Sequence, residues 1–189
     1  MTNKIAARKA LFLDRDGVIN EDLGYVHNRK DFIFNDGIFE LTSHAIEKNY
    51  LIIVITNQAG IGKGFYSEKD FFKLNEWMID QFSKKNIEIT KVYFSPYHPN
   101  SIIGKYKKDH ISRKPNPGMI LEAKEEFNIS LNDSILIGDK VSDIEAGITA
   151  SVKTNIFLVN KNYSYDQLKL NSCHLINKLV EAKKFLQDK

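Results

Sequence analysis

Two carboxylates stand two positions apart where an apolar run of the sequence gives way to a glycine. The run LFL at 11–13 is followed by Asp14, Asp16 and Gly17. Residues two apart on an extended chain point the same way, so we expect both carboxylates to face a common site, with Gly17 allowing the chain to turn sharply away. Acids placed in this way can divide nucleophilic attack and proton transfer between them.

Polar residues also follow two other apolar runs. Thr56 and Asn57 end the run YLIIVITN, and Asp139 and Lys140 follow ILIG. If these runs are parallel strands, their carboxyl ends meet at one edge and bring Asp139 close to the first two acids. Three acids at one edge repel one another unless a cation holds them, and a small all-oxygen donor set suits Mg²⁺, which also bridges to phosphate. The sequence therefore predicts a site for a magnesium-bound phosphate.

The neighbouring basic and hydroxyl groups fit a phosphoryl transfer. Thr56 and Asn57 offer hydrogen-bond donors to phosphate oxygens, and Lys114 can neutralise charge that spreads over the transferring group. Asp14 is then free to attack as a nucleophile and form an aspartyl phosphate. Asp16 is placed to protonate the departing alkoxide and afterwards to deprotonate the water that breaks the intermediate.

Five nearly continuous apolar runs indicate strands that are buried on both faces. They span residues 9–14, 50–57, 89–94, 133–139 and 154–160. Strand, helix, strand at this spacing implies right-handed crossovers and a doubly wound α/β fold with a parallel sheet. The chain of 189 residues shows no internal repeat and no low-complexity segment. We therefore expect residues 1–189 to form a single domain.

Helical patterns lie between the predicted strands. Two apolar faces at helical spacing are formed by Ile38, Leu41, Ala45 and Ile46, and by Phe71, Leu74, Met78 and Phe82. Three pairs mark helix starts, namely Ser67 with Asp70, Asn116 with Pro117, and Ser142 with Glu145. The chain from about residue 161 onward ends in a further predicted helix, to which we assign a packing role.

The composition narrows the class of protein. The net charge is only +3, and no apolar stretch is long enough to cross a bilayer. The lone Cys173 cannot form an internal disulfide, and because no motif surrounds it we predict that it is a small buried apolar residue. We therefore expect a soluble cytoplasmic monomer that has no membrane partner.

Four sequence segments together carry a family resemblance. DRDGVIN at 14–20, TNQAG at 56–60, RKPNPG at 113–118 and GDKVSD at 138–143 resemble, in order and spacing, the four motifs of haloacid dehalogenase-type phosphatases. Within that superfamily, FLDRDGVINEDLGYV and ITNQAGIGKGFYSEKDFFKLNEWM resemble the heptose bisphosphate phosphatases. The resemblance implies a Rossmann-like three-layer sandwich with a minimal cap domain or none. It also implies magnesium-dependent hydrolysis of the C7 phosphate of D-glycero-D-manno-heptose 1,7-bisphosphate, leaving heptose 1-phosphate.

The same resemblance implies roles for individual residues. Asp14 is the implied nucleophile and Asp16 the implied general acid/base, with magnesium held by Asp14, by the Asp16 carbonyl and by Asp139. Asp143 is implied to orient Lys140 or a metal-bound water. The residues implied to contact the phosphate are Thr56, Arg113 and Lys114, and those implied to contact the rest of the substrate are Asp22, Leu23, Gly24, Tyr25, Asn57, Gln58 and Lys140.

One departure from the resemblance concerns metal binding. Heptose bisphosphate phosphatases often hold a structural zinc on the loop before the third motif, through three cysteines and a histidine. Here Ser95, Tyr97, His110 and Ser112 stand at those places. These residues cannot build a thiolate-rich tetrahedral site. We predict that the chain has no structural zinc and that hydrogen bonds and packing hold this loop instead.

Three other functions compete with the sugar bisphosphate phosphatase. Histidinol-phosphate phosphatase shares the first motif, whereas the GYV segment at 24–26 and Arg113 favour a sugar phosphate. A polynucleotide 3′-phosphatase would use the basic segment KYKKDHISRK at 105–114 to bind a strand. A catalytically inactive phosphate-binding module is disfavoured by the presence of both acids, Lys114 and Asp139. The leading hypothesis is a phosphatase of a small-molecule sugar bisphosphate, with no nucleic-acid partner.

Overall fold

A six-stranded parallel sheet forms the centre of the fold in a computed structural model, which describes residues 6–159 and 173–188. The order across the sheet is β3-β2-β1-β4-β5-β6, and every neighbouring pair is parallel. The strands are β1 (Lys9–Leu13), β2 (Tyr50–Asn57), β3 (Lys91–Ser95), β4 (Ile135–Gly138), β5 (Thr154–Leu158) and β6 (His174–Ile176). The predicted doubly wound α/β fold is therefore confirmed.

Helices cover both faces of this sheet. They are α1 (Ile38–Glu47), α2 (Ala59–Gly62), α3 (Glu68–Ser83), α4 (Gly118–Phe127) and α5 (Val141–Ala150), with short 3₁₀ helices at Arg29–Asp31, Gly104–Tyr106, Leu131–Asp133 and Leu179–Phe185. Because side chains alternate along β1, Leu11 packs with apolar residues of α1 and α3, whereas Phe12 packs with those of α4 and α5. The result is a three-layer sandwich with a core on each side of the sheet.

The three predicted helix starts agree with the structure only in part. At α3, Ser67 Oγ accepts from the Asp70 N–H at 3.2 Å and the Asp70 carboxylate accepts from the Ser67 N–H at 2.9 Å, which confirms that capping box. Helix α4 begins at Gly118 with Pro117 as its N-cap, one residue later than predicted. The Ser142 prediction for α5 is wrong, because the helix begins at Val141.

The strand predictions differ from the structure mainly at their ends. The runs 9–14 and 133–139 end earlier as strands, because Asp14 and Asp139 turn into the edge of the sheet. The run 89–94 becomes Lys91–Ser95, and residue 160 of the fifth run lies outside the described residues. Strand β6 was not predicted.

The C-terminal segment packs as expected but in another form. The predicted closing helix is the 3₁₀ helix Leu179–Phe185, whose Leu179 and Ala182 are buried in the core beneath α1. Residues 161–172 of the same segment lie outside the described residues. No helix in the part of the chain that the structure describes is long and apolar enough to span a membrane.

Candidate active site

Strands β1, β2 and β4 end side by side and place the predicted acids together. Leu13 of β1 pairs with Val54 of β2 and with Ile137 of β4, so the residues that follow each strand meet at one edge. A cavity of about 250 Å³ opens there. It is lined by Asp14, Asp16, Asp22, Gly24, Tyr25, Asn57, Ala59, Tyr66, Lys114 and Lys140. Eight of the predicted site residues thus line one cavity.

Lys114 occupies the floor of this cavity and is 2% exposed. Its Nζ lies 3.0 Å from Asp14 Oδ1 and 2.8 Å from Asp143 Oδ1, and it donates to the Ile55 carbonyl at 2.9 Å. Burial alone lowers the pKa of Lys114, but Asp14 and Asp143 outweigh it and the net shift is upward. Lys114 is therefore a fixed positive charge beside the Asp14 carboxylate.

Asn57 holds Lys114 in place through the backbone. The Asn57 amide accepts from the Lys114 N–H and donates to the Lys114 carbonyl, both at 3.0 Å. This pair of bonds ties the end of β2 to the loop that carries Lys114. Thr56, the residue before Asn57, is fully buried.

Asp14 lines the cavity, and Asp139 lies buried close to it. Burial raises the pKa of Asp14, against the opposing effect of Lys114, and burial followed by repulsion from Asp14 raises the pKa of Asp139. One carboxylate oxygen from each of Asp14, Asp139 and Asp143 falls within 4.8 Å of the others. Crowded buried carboxylates of this kind fit a divalent cation that prefers oxygen ligands, as Mg²⁺ does.

Gly17 makes the close approach to Asp139 possible. Its φ of +101° lies in a region that side chains disfavour, and a Cβ on it would come 2.1 Å from Asp139 Oδ2. The sharp turn expected after the first strand is thus present. Only a glycine at this position leaves room for the Asp139 carboxylate.

Asp16 lines the same cavity as Asp14, as expected, and is held by three side chains. Arg15 Nη2 lies 2.9 Å from both Asp16 oxygens, Asn20 donates at 3.1 Å, and Gln58 Nε2 donates to Oδ2 at 3.0 Å. The Arg15 guanidinium is itself 1% exposed and also donates to the Val26 carbonyl at 2.6 Å. The Asp16 carboxylate is therefore fixed in position before any ligand arrives.

Gln58 is bound within the protein on both sides of its amide. Its nitrogen donates to Asp16 and, at 2.8 Å, to Thr56 Oγ1, and its oxygen accepts from the Tyr66 hydroxyl at 2.6 Å. Gln58 is 1% exposed. The substrate contact expected for Gln58 remains a prediction, whereas its contacts in this structure orient Asp16.

The segment from Asp22 to Tyr25 forms one wall of the cavity. Asp22 Oδ2 lies 2.9 Å from Lys140 Nζ, and hydrogen bonds from Lys140 and from Gly24 outweigh burial and lower the pKa of Asp22. Gly24 and Tyr25 have φ values of +77° and +52°, which turn the Tyr25 ring into the opening. Leu23 is 56% exposed and is not part of the cavity lining.

Arg113 lies on the loop before α4 and is not part of the cavity lining, so its phosphate contact stays a prediction. Its Nη1 donates to the Tyr97 carbonyl at 3.2 Å. The Tyr97 ring stacks on His110 at 4.0 Å, His110 contacts Ser112 Oγ at 2.8 Å, and Ser112 Oγ donates to Ser95 Oγ at 3.1 Å. The four residues at the positions where related phosphatases often hold zinc are thus joined by a chain of direct contacts.

Sequence reasoning missed Arg15 and Tyr66 and assigned Asp143 only loosely. Arg15 stands between the two acids of the first motif, where a buried guanidinium is the natural partner of Asp16. Asp143 pairs with Lys114 and accepts from the backbone N–H of Asp139 and Lys140 at 3.2 and 3.0 Å. Tyr66 carries no signal in the sequence, since only the folded chain brings it to Gln58.

Comparisons with known proteins identify the class of protein. The fold and the site together define a haloacid dehalogenase-type phosphatase. The family model described as "Polynucleotide kinase 3 phosphatase" matches residues 11–170. A protein of Burkholderia mallei named D-glycero-alpha-D-manno-heptose-1,7-bisphosphate 7-phosphatase is 54% identical over 156 residues, 82% of this chain and 82% of that protein. The chain belongs to the polynucleotide kinase 3 phosphatase family, together with relatives named heptose-1,7-bisphosphate 7-phosphatases.

Two further relatives extend the comparison. A protein of Vibrio cholerae named D-glycero-beta-D-manno-heptose-1,7-bisphosphate 7-phosphatase is 43% identical over 152 residues. The match spans 80% of this chain and 82% of that protein. The crystal structure of D,D-heptose 1,7-bisphosphate phosphatase from B. bronchiseptica, complexed with magnesium and phosphate, superimposes with a TM-score of 0.83. The two sequences are 20% identical, and the superposition spans 94% of this chain and 97% of the B. bronchiseptica chain. This neighbour therefore supports the fold.

Proposed function

We propose that the protein hydrolyses the C7 phosphate of D-glycero-D-manno-heptose 1,7-bisphosphate and leaves heptose 1-phosphate. The observation that carries the proposal is the buried Lys114 ammonium, 3.0 Å from the Asp14 carboxylate on the floor of a cavity about 250 Å³ in volume. A phosphate monoester placed there meets a carboxylate nucleophile and a fixed cation together. The α anomer is the expected substrate, because the relative with 54% identity carries that name.

The first half of the proposed reaction forms a covalent bond to Asp14. An Asp14 carboxylate oxygen attacks phosphorus while the bond from phosphorus to the C7 oxygen breaks. Lys114 offsets the negative charge of the phosphoryl oxygens, and Thr56 and Arg113 are proposed to contact them as well. Asp16 gives its proton to the departing C7 oxygen, which leaves as the sugar alcohol.

The second half releases inorganic phosphate. Asp16, now ionised, takes a proton from a water molecule, and that water oxygen attacks phosphorus. The bond from phosphorus to the Asp14 oxygen breaks, so Asp14 returns as a carboxylate. Arg15 and Gln58 keep Asp16 at one position through both proton transfers. Asp22, Asn57 and Lys140 are proposed to contact the sugar.

Magnesium is the proposed cofactor of this site. Asp14, Asp139 and the Asp16 carbonyl are the proposed ligands, and the bound ion would supply positive charge to the phosphoryl oxygens. The raised pKa values of Asp14 and Asp139 support this assignment, because burial and repulsion from neighbouring carboxylates disfavour the charged forms that a cation would stabilise. No zinc is assigned to the loop at 95–112.

The test is release of inorganic phosphate in the presence of magnesium from four substrates. These are the α and β anomers of the heptose bisphosphate, histidinol phosphate and a 3′-phosphorylated oligonucleotide. We expect a strong preference for the α anomer, with heptose 1-phosphate as the product. Preference for histidinol phosphate or for the oligonucleotide would overturn the substrate assignment, and release of the C1 phosphate would overturn the assigned position.

The proposal includes the state and location of the protein. We propose that it acts as a monomer in the cytoplasm, on a small molecule and without a nucleic-acid partner. The relatives are bacterial proteins named for a sugar bisphosphate, and the site is formed within one chain. Sedimentation of the purified protein tests the monomer, and cell fractionation tests the location.

A further inference from the structure

A second cavity, about 320 Å³ in volume, opens outside the catalytic one, and none of the described residues lines both. Residues 27–30 line one side of this second cavity, and Asp70, Lys73 and Leu74 of α3 line the other. Three of these described residues are lysine or arginine, and only Asp70 carries a carboxylate. The described lining of the second cavity therefore has a net positive charge.

Two stacked rings lie between the two cavities. His27 lines the second cavity, Tyr66 lines the catalytic one, and their ring centres are 4.9 Å apart at an interplanar angle of 5°. His27 Nδ1 lies 2.7 Å from the Tyr25 carbonyl oxygen, and Nε2 lies 3.0 Å from Asn28 Nδ2. A carbonyl oxygen only accepts and an amide nitrogen only donates, so His27 is the neutral tautomer with its proton on Nδ1.

The three cations of the second cavity have no ion-pair partner within the described part of the chain. No carboxylate oxygen there lies within 4.0 Å of a side-chain nitrogen of Arg29, Lys30 or Lys73. In the catalytic cavity, by contrast, Lys114 and Lys140 are each paired with an acid. Like charges grouped around one concave site raise the local concentration of the opposite charge, here of anions.

Two contacts prepare the second cavity for an anion. The guanidinium carbon of Arg29 lies 5.0 Å from the centre of the Trp77 ring, which holds the planar group against an aromatic face. The Oδ2 atom of Asp70 accepts from the Ser67 N–H at 2.9 Å and from the Ser67 hydroxyl at 2.7 Å. The carboxylate is thus committed to the start of α3.

We propose that the second cavity binds the phosphate group of a phosphorylated small molecule through Arg29, Lys30 and Lys73. A guanidinium supplies paired donors that match phosphate oxygens, and ammonium groups add compact point charges. The volume of about 320 Å³ falls at the lower end of the range for small-molecule sites, roughly 300–1,000 Å³, so there is room for an organic part beside the phosphate. Leu74 and the His27 ring offer apolar surface to that part.

The test is a titration of the ¹⁵N-labelled full chain with glucose 6-phosphate, followed by NMR in EDTA so that no turnover occurs. Backbone amide signals of residues 27–30 and of Lys73 should shift together and saturate. Signals of residues 14–16 report separately on the catalytic cavity. Glucose, which lacks the charge, should leave the signals of residues 27–30 unchanged, and inorganic phosphate should shift them with weaker affinity.

Three variants assign the response to one cavity. Lys73→Gln should weaken the Kd read from residues 27–30 about ten-fold, the size typical of a lost charged hydrogen bond, and leave the Kd read from residues 14–16 unchanged. Lys69→Gln removes the same charge from another exposed position on α3 and should behave as wild type. Lys140→Gln alters the catalytic cavity alone and should leave the Kd read from residues 27–30 unchanged.

The proposal fails if the signals of residues 27–30 do not saturate, or if Lys69→Gln weakens the Kd as much as Lys73→Gln does. An equal response to glucose would exclude recognition of the phosphate, and equal affinity for inorganic phosphate would exclude a contribution from the organic part. None of these results depends on phosphate release, so they leave the proposed function untouched.

Discussion

Gln58 Nε2 donates a hydrogen bond of 3.0 Å to Asp16 Oδ2, although the two residues are 42 positions apart in the chain. The other side of the Gln58 amide accepts from Tyr66 at 2.6 Å. Gln58 cannot rotate away without breaking bonds that are buried on every side. Gln58, an uncharged residue, therefore helps Arg15 and Asn20 to set the orientation of the proposed general acid/base.

Replacing Gln58 should slow catalysis more than it weakens binding. Gln58→Leu removes both the donor to Asp16 and the acceptor for Tyr66, so Asp16 loses one of its fixed contacts. We expect kcat to fall about ten- to hundred-fold, as displacement of a catalytic group does, with KM within three-fold of wild type. Steady-state kinetics on the bisphosphate measure this. A rise in KM at unchanged kcat would mean that Gln58 mainly contacts substrate.

The two acids of the first motif should differ when each is replaced by its amide. Asp14→Asn removes the nucleophile and should abolish turnover. Asp16→Asn removes proton transfer and should reduce kcat about 10²- to 10⁴-fold, while leaving magnesium binding nearly intact. Single-turnover kinetics and a magnesium titration by calorimetry separate these outcomes. Wild-type turnover by Asp14→Asn would exclude the covalent route.

Lys114 should be essential for stability as well as for activity. Lys114→Met leaves Asp14 and Asp143 buried without their shared cation, which costs about 3–5 kcal/mol in the free energy of unfolding. Urea unfolding monitored by circular dichroism measures this cost. Lys124→Met is the matched control, since Lys124 is 46% exposed and its change should stay within about 0.5 kcal/mol. A loss below about 1 kcal/mol for Lys114→Met would show that the two carboxylates relax without it.

Asp139→Asn should stabilise the metal-free protein. The raised pKa of Asp139 means that the folded state binds its proton more tightly than the unfolded state does, so wild-type stability falls as the pH rises through that pKa. The amide removes this cost, and each kcal/mol gained raises Tm by about 2–4 °C. Magnesium should raise the Tm of the wild-type protein, and it should raise the Tm of the variant much less.

Thermal unfolding with EDTA and with magnesium tests the Asp139 prediction. The exposed Asp36→Asn serves as a control that loses the same charge elsewhere and should respond to magnesium as wild type does. If Asp139→Asn gained as much from magnesium as wild type, Asp139 would not be a ligand. A lower Tm for the metal-free variant would contradict the repulsion described above.

The fold and the centre of the site could be predicted because both depend on local sequence. Buried parallel strands appear as continuous apolar runs, and the polar residues that end them mark the edge where ligands bind. Asp14 and Asn57 follow from that rule and line one cavity, together with Lys114 from the third motif. Strand β6 was not predicted because one of its three side chains is exposed and another is partly exposed, so no apolar run marks it.

Other features depend on contacts that only the folded chain makes. The Ser142 and Glu145 pair has suitable spacing for a capping box, but Asp143 accepts from the Lys140 N–H and the helix starts earlier. The link between Tyr66 and Gln58 joins side chains with no motif in common. The absence of structural zinc stays a prediction, which metal analysis of the purified protein can test.

The position of β1 between β2 and β4 has a consequence for how activity arises as the chain folds. Strand β2 follows β1 within 50 residues, whereas β4 starts more than 120 residues after β1, so their pairing closes a long loop and is a slow, non-local event. Asp139 and Asp143 reach Asp14 only after that pairing. Recovery of phosphatase activity after dilution from denaturant should therefore lag behind recovery of helical circular dichroism.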